Sequence, residues 1–252
     1  MANGYRYRTT AFSPYGFFPV GVKWLLITNI SIFVLNFLTQ RFGFGMYFYP
    51  FGLVPGMVVH LLAVWQLVTY MFLHDPSGFG HILFNMLTLW MFGADLERTW
   101  GTRRFLQYYF LCGIGAGICV VLANLLFGNM ASRTIGASGA IYGLLLAFGI
   151  LYPDREVLLS FLFPIKAKYF VLILGAIAFL SSISASENGV SHVAHLGGMV
   201  FGYVYLKSRL RLRFDPFASL RQFYQAWKLE RARRKFQVYV RKQGSDRDRW
   251  VQ

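Results

Sequence analysis

Six apolar runs set the pattern of this chain, at residues 22–39, 81–94, 105–127, 138–152, 169–184 and 191–206, and short polar or aromatic-rich segments separate them. Each run is long enough for a membrane helix or close to it, since a bilayer core about 30 Å thick needs about 20 residues. A further apolar stretch, 57–73, lies inside a Gly-, Pro- and aromatic-rich segment, 40–80, and contains His60 and Gln66. Its length alone would allow a span. Trp65, Tyr70 and the two polar residues suit the membrane–water boundary better, so the pattern predicts a loop lying in the interface. The run 138–152 opens with Ser138 and is otherwise apolar or aromatic, and it stops at Pro153-Asp154, a helix-ending signal. Its helix would be roughly 22 Å long at 1.5 Å per residue, shorter than the bilayer core. If it ends at the far surface, Ser138 opens it well below the near one.

Composition turns this pattern into a class. The chain is 56% hydrophobic and only 14% charged, a balance that excludes an ordinary soluble domain and fits a multi-span membrane protein. The expected fold is an all-α membrane protein, a six-helix bundle with an interfacial first loop. Residues 1–20 precede the membrane domain, 21–207 form it, and 208–252 make a basic tail with a helical middle. Cys112 and Cys119 lie seven apart on one apolar helix, about 10 Å along its axis, too far for a disulfide.

The net charge of +15 invites a nucleic-acid reading, but its distribution points to a membrane. With the N-terminus in the cytoplasm, six spans place 23 of the 25 Lys and Arg inside and leave only Arg41 and Arg133 outside. Making 57–73 a span would turn the N-terminus outward and put its bases on the wrong side. Both termini are therefore expected in the cytoplasm of a multi-pass integral membrane protein, in the inner cell membrane if the source is bacterial. The basic tail is expected against anionic lipid headgroups. A nucleic-acid partner would need a folded binding module, and none is present.

The same topology brings polar residues to one depth. The second, fourth and sixth spans all run from outside to inside, and each opens with polar groups: His81 and Asn85, then Ser138, then His192 and His195. Any one of these could simply join helices by a hydrogen bond. A set holding a nucleophile, a base and further donors points to chemistry, because strongly polar groups at membrane depth are costly. Zinc bound by His81, His192 and His195 is a weaker rival, since no carboxylate joins them and no H-E-x-x-H motif occurs. A pair of membrane aspartates is also lacking, as Asp75, Asp95 and Asp154 fall in loops.

At these residues the sequence resembles the rhomboid family of intramembrane serine proteases. Gly136-Ala137-Ser138-Gly139 matches the family's GxSG motif, His81 to Asn85 its H-x-x-x-N, and Ala194-His195 to Gly198 its A-H-x-x-G. The segment from Gly93 to Gly101 resembles the loop after the second helix. The resemblance covers about residues 20–207 and leaves the tail outside. One departure is Trp65-Gln66, where the family often has Trp-Arg.

The resemblance implies Ser138 as nucleophile and His195 as its base. The chemistry is consistent in itself, because a serine hydroxyl needs a base and histidine titrates near working pH. No carboxylate is placed to orient His195, so the pair would be a dyad. Gly139 and Gly143 on the fourth span, with Gly198 and Gly202 on the sixth, are small-xxx-small pairs that would let the two helices approach. The backbone N–H of Ser138 and the side chains of His81 and Asn85 are the expected oxyanion donors, with Gly136 and Gly139 supporting the motif. His192 is expected to support the site or line its pore. The fifth span and residues 185–190 are expected to gate it. The implied partners are membrane-spanning protein substrates and the bilayer. No cofactor and no metal are expected, and no oligomeric state is assigned. The alternatives are a catalytically silent rhomboid-like escort protein, which usually lacks the serine or histidine present here, and a six-span channel. The channel would need a polar path through the apolar inner halves of these helices.

Overall fold

The computed structural model describes residues 18–159, 163–183, 189–211, 227, 228, 230 and 231. Six long helices dominate: α1 Val20–Arg41, α2 Phe79–Trp100, α3 Thr102–Phe127, α4 Ser138–Leu151, α5 Ala167–Ile183 and α6 Gly189–Arg211. They match the six apolar runs to within a turn at most ends, but α2 continues six residues past its run and α6 five, so Asp95 and most of the segment from Gly93 to Gly101, expected in a loop, lie in α2. α1 and α3 are long and apolar enough to cross a membrane, while α4 and α5 are shorter apolar helices. Their outward faces are apolar. Trp24 on α1 is 60% exposed and Leu172 on α5 is 69% exposed, as suits contact with lipid and not water.

The interior is built on α3 and α4. Phe105, Tyr108, Tyr109, Cys112 and Ala116 of α3 are fully buried, and Leu144 and Ala147 of α4 lie against that column. Glycine decides how closely the helices approach. A side chain at Gly198 of α6 would run into the carbonyl oxygen of Gly139, so these backbones touch as the small-residue pattern predicted. Gly143 also meets α6 at Gly198, whose carbonyl oxygen would lie 3.1 Å from a Cβ there, while Gly202 faces α3. A Cβ at Gly143 would meet Cys112 Sγ of α3 at 2.5 Å, and one at Gly202 would meet the Tyr108 hydroxyl. That hydroxyl donates to the Gly143 carbonyl at 2.8 Å, so a tyrosine of α3 occupies the space between the two glycines.

Residues 57–73 do not form one helix. Short helices at Pro55–His60 and Gln66–Thr69 and a 3₁₀ turn at Tyr70–Phe72 follow a 3₁₀ segment at Gly45–Phe51. Leu62 breaks the run with φ +54, a left-handed conformation unfavourable for a leucine. Gln66, where the family often has arginine, anchors this loop. It is fully buried, accepts from Val54 N–H at 2.9 Å and donates to the Pro50 carbonyl at 3.0 Å. The loop is laced to the segment before α4. Leu53 and Thr134 exchange two backbone bonds of 2.9 Å, and Gly136 N–H donates to the Tyr70 carbonyl at 2.9 Å. Arg133 donates to the Phe48 carbonyl at 3.0 Å with its guanidinium over the Tyr49 ring.

The all-α expectation needs one correction. An antiparallel pair of strands, Glu156–Leu159 and Phe163–Lys166, links α4 to α5. Pro164 lies in the second strand, where a helix interior would not tolerate it, and Val157 and Phe163 favour extended pairing. The chain divides into two compact units, Met1–Leu206 and Lys207–Gln252. In the second, Arg231 lies over the Trp227 ring at 5.1 Å, and the rest of the expected helical middle falls outside the described residues. Of residues 185–190, assigned to a gate, 189 and 190 belong to α6 and the others lie outside the described residues.

Candidate active site

Ser138 is the first residue of α4, preceded by a turn that only glycine suits. Gly136 has φ +122, in the left-handed region, and its amide is held by the Tyr70 carbonyl. Bare backbone there makes room for His81. A Cβ on Gly136 would lie 3.0 Å from His81 Nε2 and 3.9 Å from Ser138 Oγ, so the histidine and the serine border one small space. The first amides of α4 have no partner within the helix and carry the positive end of its dipole. A carbonyl oxygen gaining charge beside Ser138 would meet donors from the helix and from His81.

His195 comes from α6, and its Nε2 lies 2.9 Å from Ser138 Oγ. With Nε2 unprotonated, the serine hydroxyl donates to it. Nδ1 of His195 is buried and has no hydrogen-bond partner among the described residues, so no carboxylate orients the ring. Packing orients it instead. The ring lies flat on Tyr142, with centroids 4.0 Å apart and planes within 2°. His192 meets it edge-on at 5.8 Å.

Ser138, His195, His81 and Asn85 all line one cavity of about 530 Å³ among α2, α4, α5 and α6. Besides these four residues and Thr88 and Tyr142, its lining is mainly apolar and includes Phe92, Leu145 and Phe170. The size suits a short peptide segment. Asn85 points one amide N–H at the His81 carbonyl at 2.9 Å and keeps a second N–H uncommitted to that bond. Of the residues singled out from sequence, Ser138, His195, His81, Asn85 and Gly136 meet at this place. His192 is outside the cavity lining. Gly139 works in packing, since a Cβ there would lie 2.6 Å from that of Ala116. Among the described residues, no three His, Cys, Asp or Glu side chains are grouped as metal ligands, so the zinc alternative has no ligand set there.

Two residues near this site have roles the sequence did not predict: Tyr142 was not singled out, and Tyr70, expected at the membrane–water boundary, is buried. Tyr142 stands four residues after Ser138, hence on the same helix face, and that spacing could have marked it. Tyr70 holds Gly136 through its carbonyl and sends its own hydroxyl to the Gly113 carbonyl at 2.6 Å. No local pattern would have found that pair of roles.

Comparison with known proteins agrees with the geometry. The chain is 35% identical over 139 residues to rhomboid protease GluP of Bacillus subtilis, covering 55% of this chain and 25% of that one. It is 37% identical over 151 residues to RHOMBOID-like protein 1 of Arabidopsis thaliana, covering 59% of this chain and 35% of that one. With rhomboid protease GlpG of Haemophilus influenzae the identity is 28% over 194 residues, covering 74% of this chain and 91% of that one. The chain thus spans well under two thirds of some of these relatives and nearly all of another. The sequence model of the Rhomboid domain matches residues 61–211, more than half of the chain, and takes in the serine, both cavity histidines and the asparagine: the chain belongs to the rhomboid family.

Proposed function

We propose that this chain is an intramembrane serine endopeptidase that hydrolyses peptide bonds in or near the transmembrane segments of other membrane proteins. The observation that carries the reading is the 2.9 Å approach of His195 Nε2 to Ser138 Oγ in the lining of a mainly apolar cavity. The relatives named as rhomboid proteases add support. The six long helices are then six spans, with both termini cytoplasmic and the active site opening outward. The support for that orientation is the 23-to-2 split of basic residues. In a bacterium the membrane is the inner one, and the tail 208–252 lies against anionic headgroups.

The mechanism follows from the residues. A substrate segment entering the cavity must unwind, because an intact helix hides its peptide bonds. His195 Nε2 takes the Ser138 proton as Oγ bonds to the scissile carbonyl carbon. The oxygen gains negative charge and is met by the Ser138 amide, His81 Nε2–H and the free Asn85 N–H. His195 then gives its proton to the amide nitrogen, the C–N bond breaks and the amine leaves. Water attacks the acyl ester, His195 takes its proton, and Ser138 is restored as the acid departs. Stacking on Tyr142 does the orienting that a triad carboxylate would otherwise do. Both members of the dyad are present, which disfavours a silent escort protein.

The test is labelling of the membrane-embedded protein with a fluorophosphonate, together with cleavage of a model transmembrane substrate. Wild type should label and cleave, and Ser138→Ala and His195→Ala should do neither while remaining folded. Wild-type turnover in Ser138→Ala would overturn the reading.

A further inference from the structure

His74 ends the first loop, between the Tyr70–Phe72 turn and the start of α2. Its side chain is 0% exposed, yet among the described residues neither Nδ1 nor Nε2 makes a well-formed hydrogen bond, although the Phe72 carbonyl is close enough to act on the ring. A buried polar group in that condition costs stability, and its presence calls for a reason. Its ring lies edge-on to His81, with centroids 5.1 Å apart and planes at 61°. That spacing leaves room for one N–H···N bond of about 3 Å between facing ring edges after a small rotation. Burial, and next the charge that His81 can carry, push His74 down to about 4, and the Phe72 carbonyl opposes them more weakly. His74 is therefore neutral at neutral pH, with one donor and one acceptor.

A neutral His81 has a single N–H, and the bond made by its other nitrogen decides which one bears it. The edge of His81 turned to Gly136 and the Ser138 space holds Nε2 and Cε1. That leaves Nδ1 for His74. The neighbouring carboxylate, Asp75, accepts from Ser77 N–H at 2.9 Å, and that bond first of all holds it below the usual carboxylate range. We propose that His74 is a positioning residue for His81: its N–H donates to His81 Nδ1, which keeps the His81 proton on Nε2, aimed at the oxyanion. His74 lies outside the cavity lining and touches no substrate, and the inference rests on the proposed protease reading.

The test uses the full chain in liposomes with a model transmembrane substrate. His74→Phe keeps the ring volume and removes both nitrogens. It should lower kcat about tenfold, the scale of one neutral hydrogen bond, with KM little changed. His74→Gln restores an N–H and should recover part of that loss, while Asp75→Asn should stay near wild type. In a His81→Ala background, His74→Phe should have no further effect. Nitrogen NMR of His81 should show Nε2–H in wild type and a tautomer mixture in His74→Phe. The proposal is overturned by an unchanged kcat in His74→Phe. It is overturned equally by the same loss with and without His81, by an unchanged His81 tautomer, or by a loss in Asp75→Asn as large as in His74→Phe. Fluorophosphonate labelling that persists in Ser138→Ala would sink the protease reading instead, and the NMR result would still decide the contact between the two histidines.

Discussion

The two ends of α2 carry buried polar groups of opposite character. Near Gly101, Glu97 is 3% exposed and both its oxygens are taken. Gly21 N–H and Val22 N–H each donate to it at 2.7 Å, and the Thr102 hydroxyl at 2.6 Å. This carboxylate caps α1, satisfies amides that would otherwise be orphaned, and sits at the positive end of that helix. At the other end, His81 and Asn85 face a cavity, and beside them both ring nitrogens of His74 and Nδ1 of His195 have no well-formed hydrogen bond among the described residues. A saturated network has nothing left to offer a ligand and holds helices together. An unsaturated one keeps capacity for a substrate and relies on neighbouring packing for its shape.

That contrast is sharpest for Ser138→Ala. All cleavage should be lost while the thermal midpoint in the same detergent stays at the wild-type value, because the missing hydroxyl joins no structural network. A large drop in midpoint would place Ser138 on the structural side.

Glu97→Ala is the counterpart at the opposite end. It strands two buried amides and a hydroxyl, at about 1–3 kcal/mol each, so stability should fall by at least about 3 kcal/mol. Turnover per folded molecule should not change. Denaturation followed alongside active-site labelling separates the two, and lost turnover at full stability would break the comparison.

Asn85→Ala should lower turnover about 10²-fold, the low end for one oxyanion donor, because the other donors share the charge. Apparent substrate affinity should change little, since the ground-state carbonyl makes weaker use of this amide. Lower stability with unchanged turnover would assign Asn85 to its bond with the His81 carbonyl alone.

The smallest effect concerns pH. His74 is held down to about 4 in the folded protein, mainly by burial, against about 6.5 unfolded. The unfolded chain therefore binds the extra proton first. Stability from this residue is complete above about pH 6.5 and declines as pH falls towards 4. Melting curves between those limits should have a shallower pH slope in His74→Phe than in wild type, and identical slopes would contradict the burial.

Much of this was legible locally. Apolar runs marked six helices because lipid-facing and core-facing residues are both apolar, and run length is then a direct readout. Ser138, His81, Asn85 and His195 stood out because polar side chains are rare in such runs. The hairpin after α4 was missed because its stretch, 156–166, shows no period-2 alternation of apolar and polar residues that would mark a strand. Glu97 was read only as part of the segment from Gly93 to Gly101, since its three donors come from two other helices, α1 and α3.

By itself the sequence determined the helices, the placement of polar residues at the starts of the second, fourth and sixth of them and the glycines that permit close contact. These depend on local composition and on period, which survive without a fold. Only the tertiary structure decided that Nε2 of His195 reaches Ser138, 57 residues away, and that Tyr142 supplies the flat surface orienting it. It also decided that Tyr108, not a second glycine contact, fills the space between Gly143 and Gly202, and that His74 lies sealed behind His81. The reason is physical: helical period says which residues share a face, but the distance between faces is set by how side chains of several helices interlock.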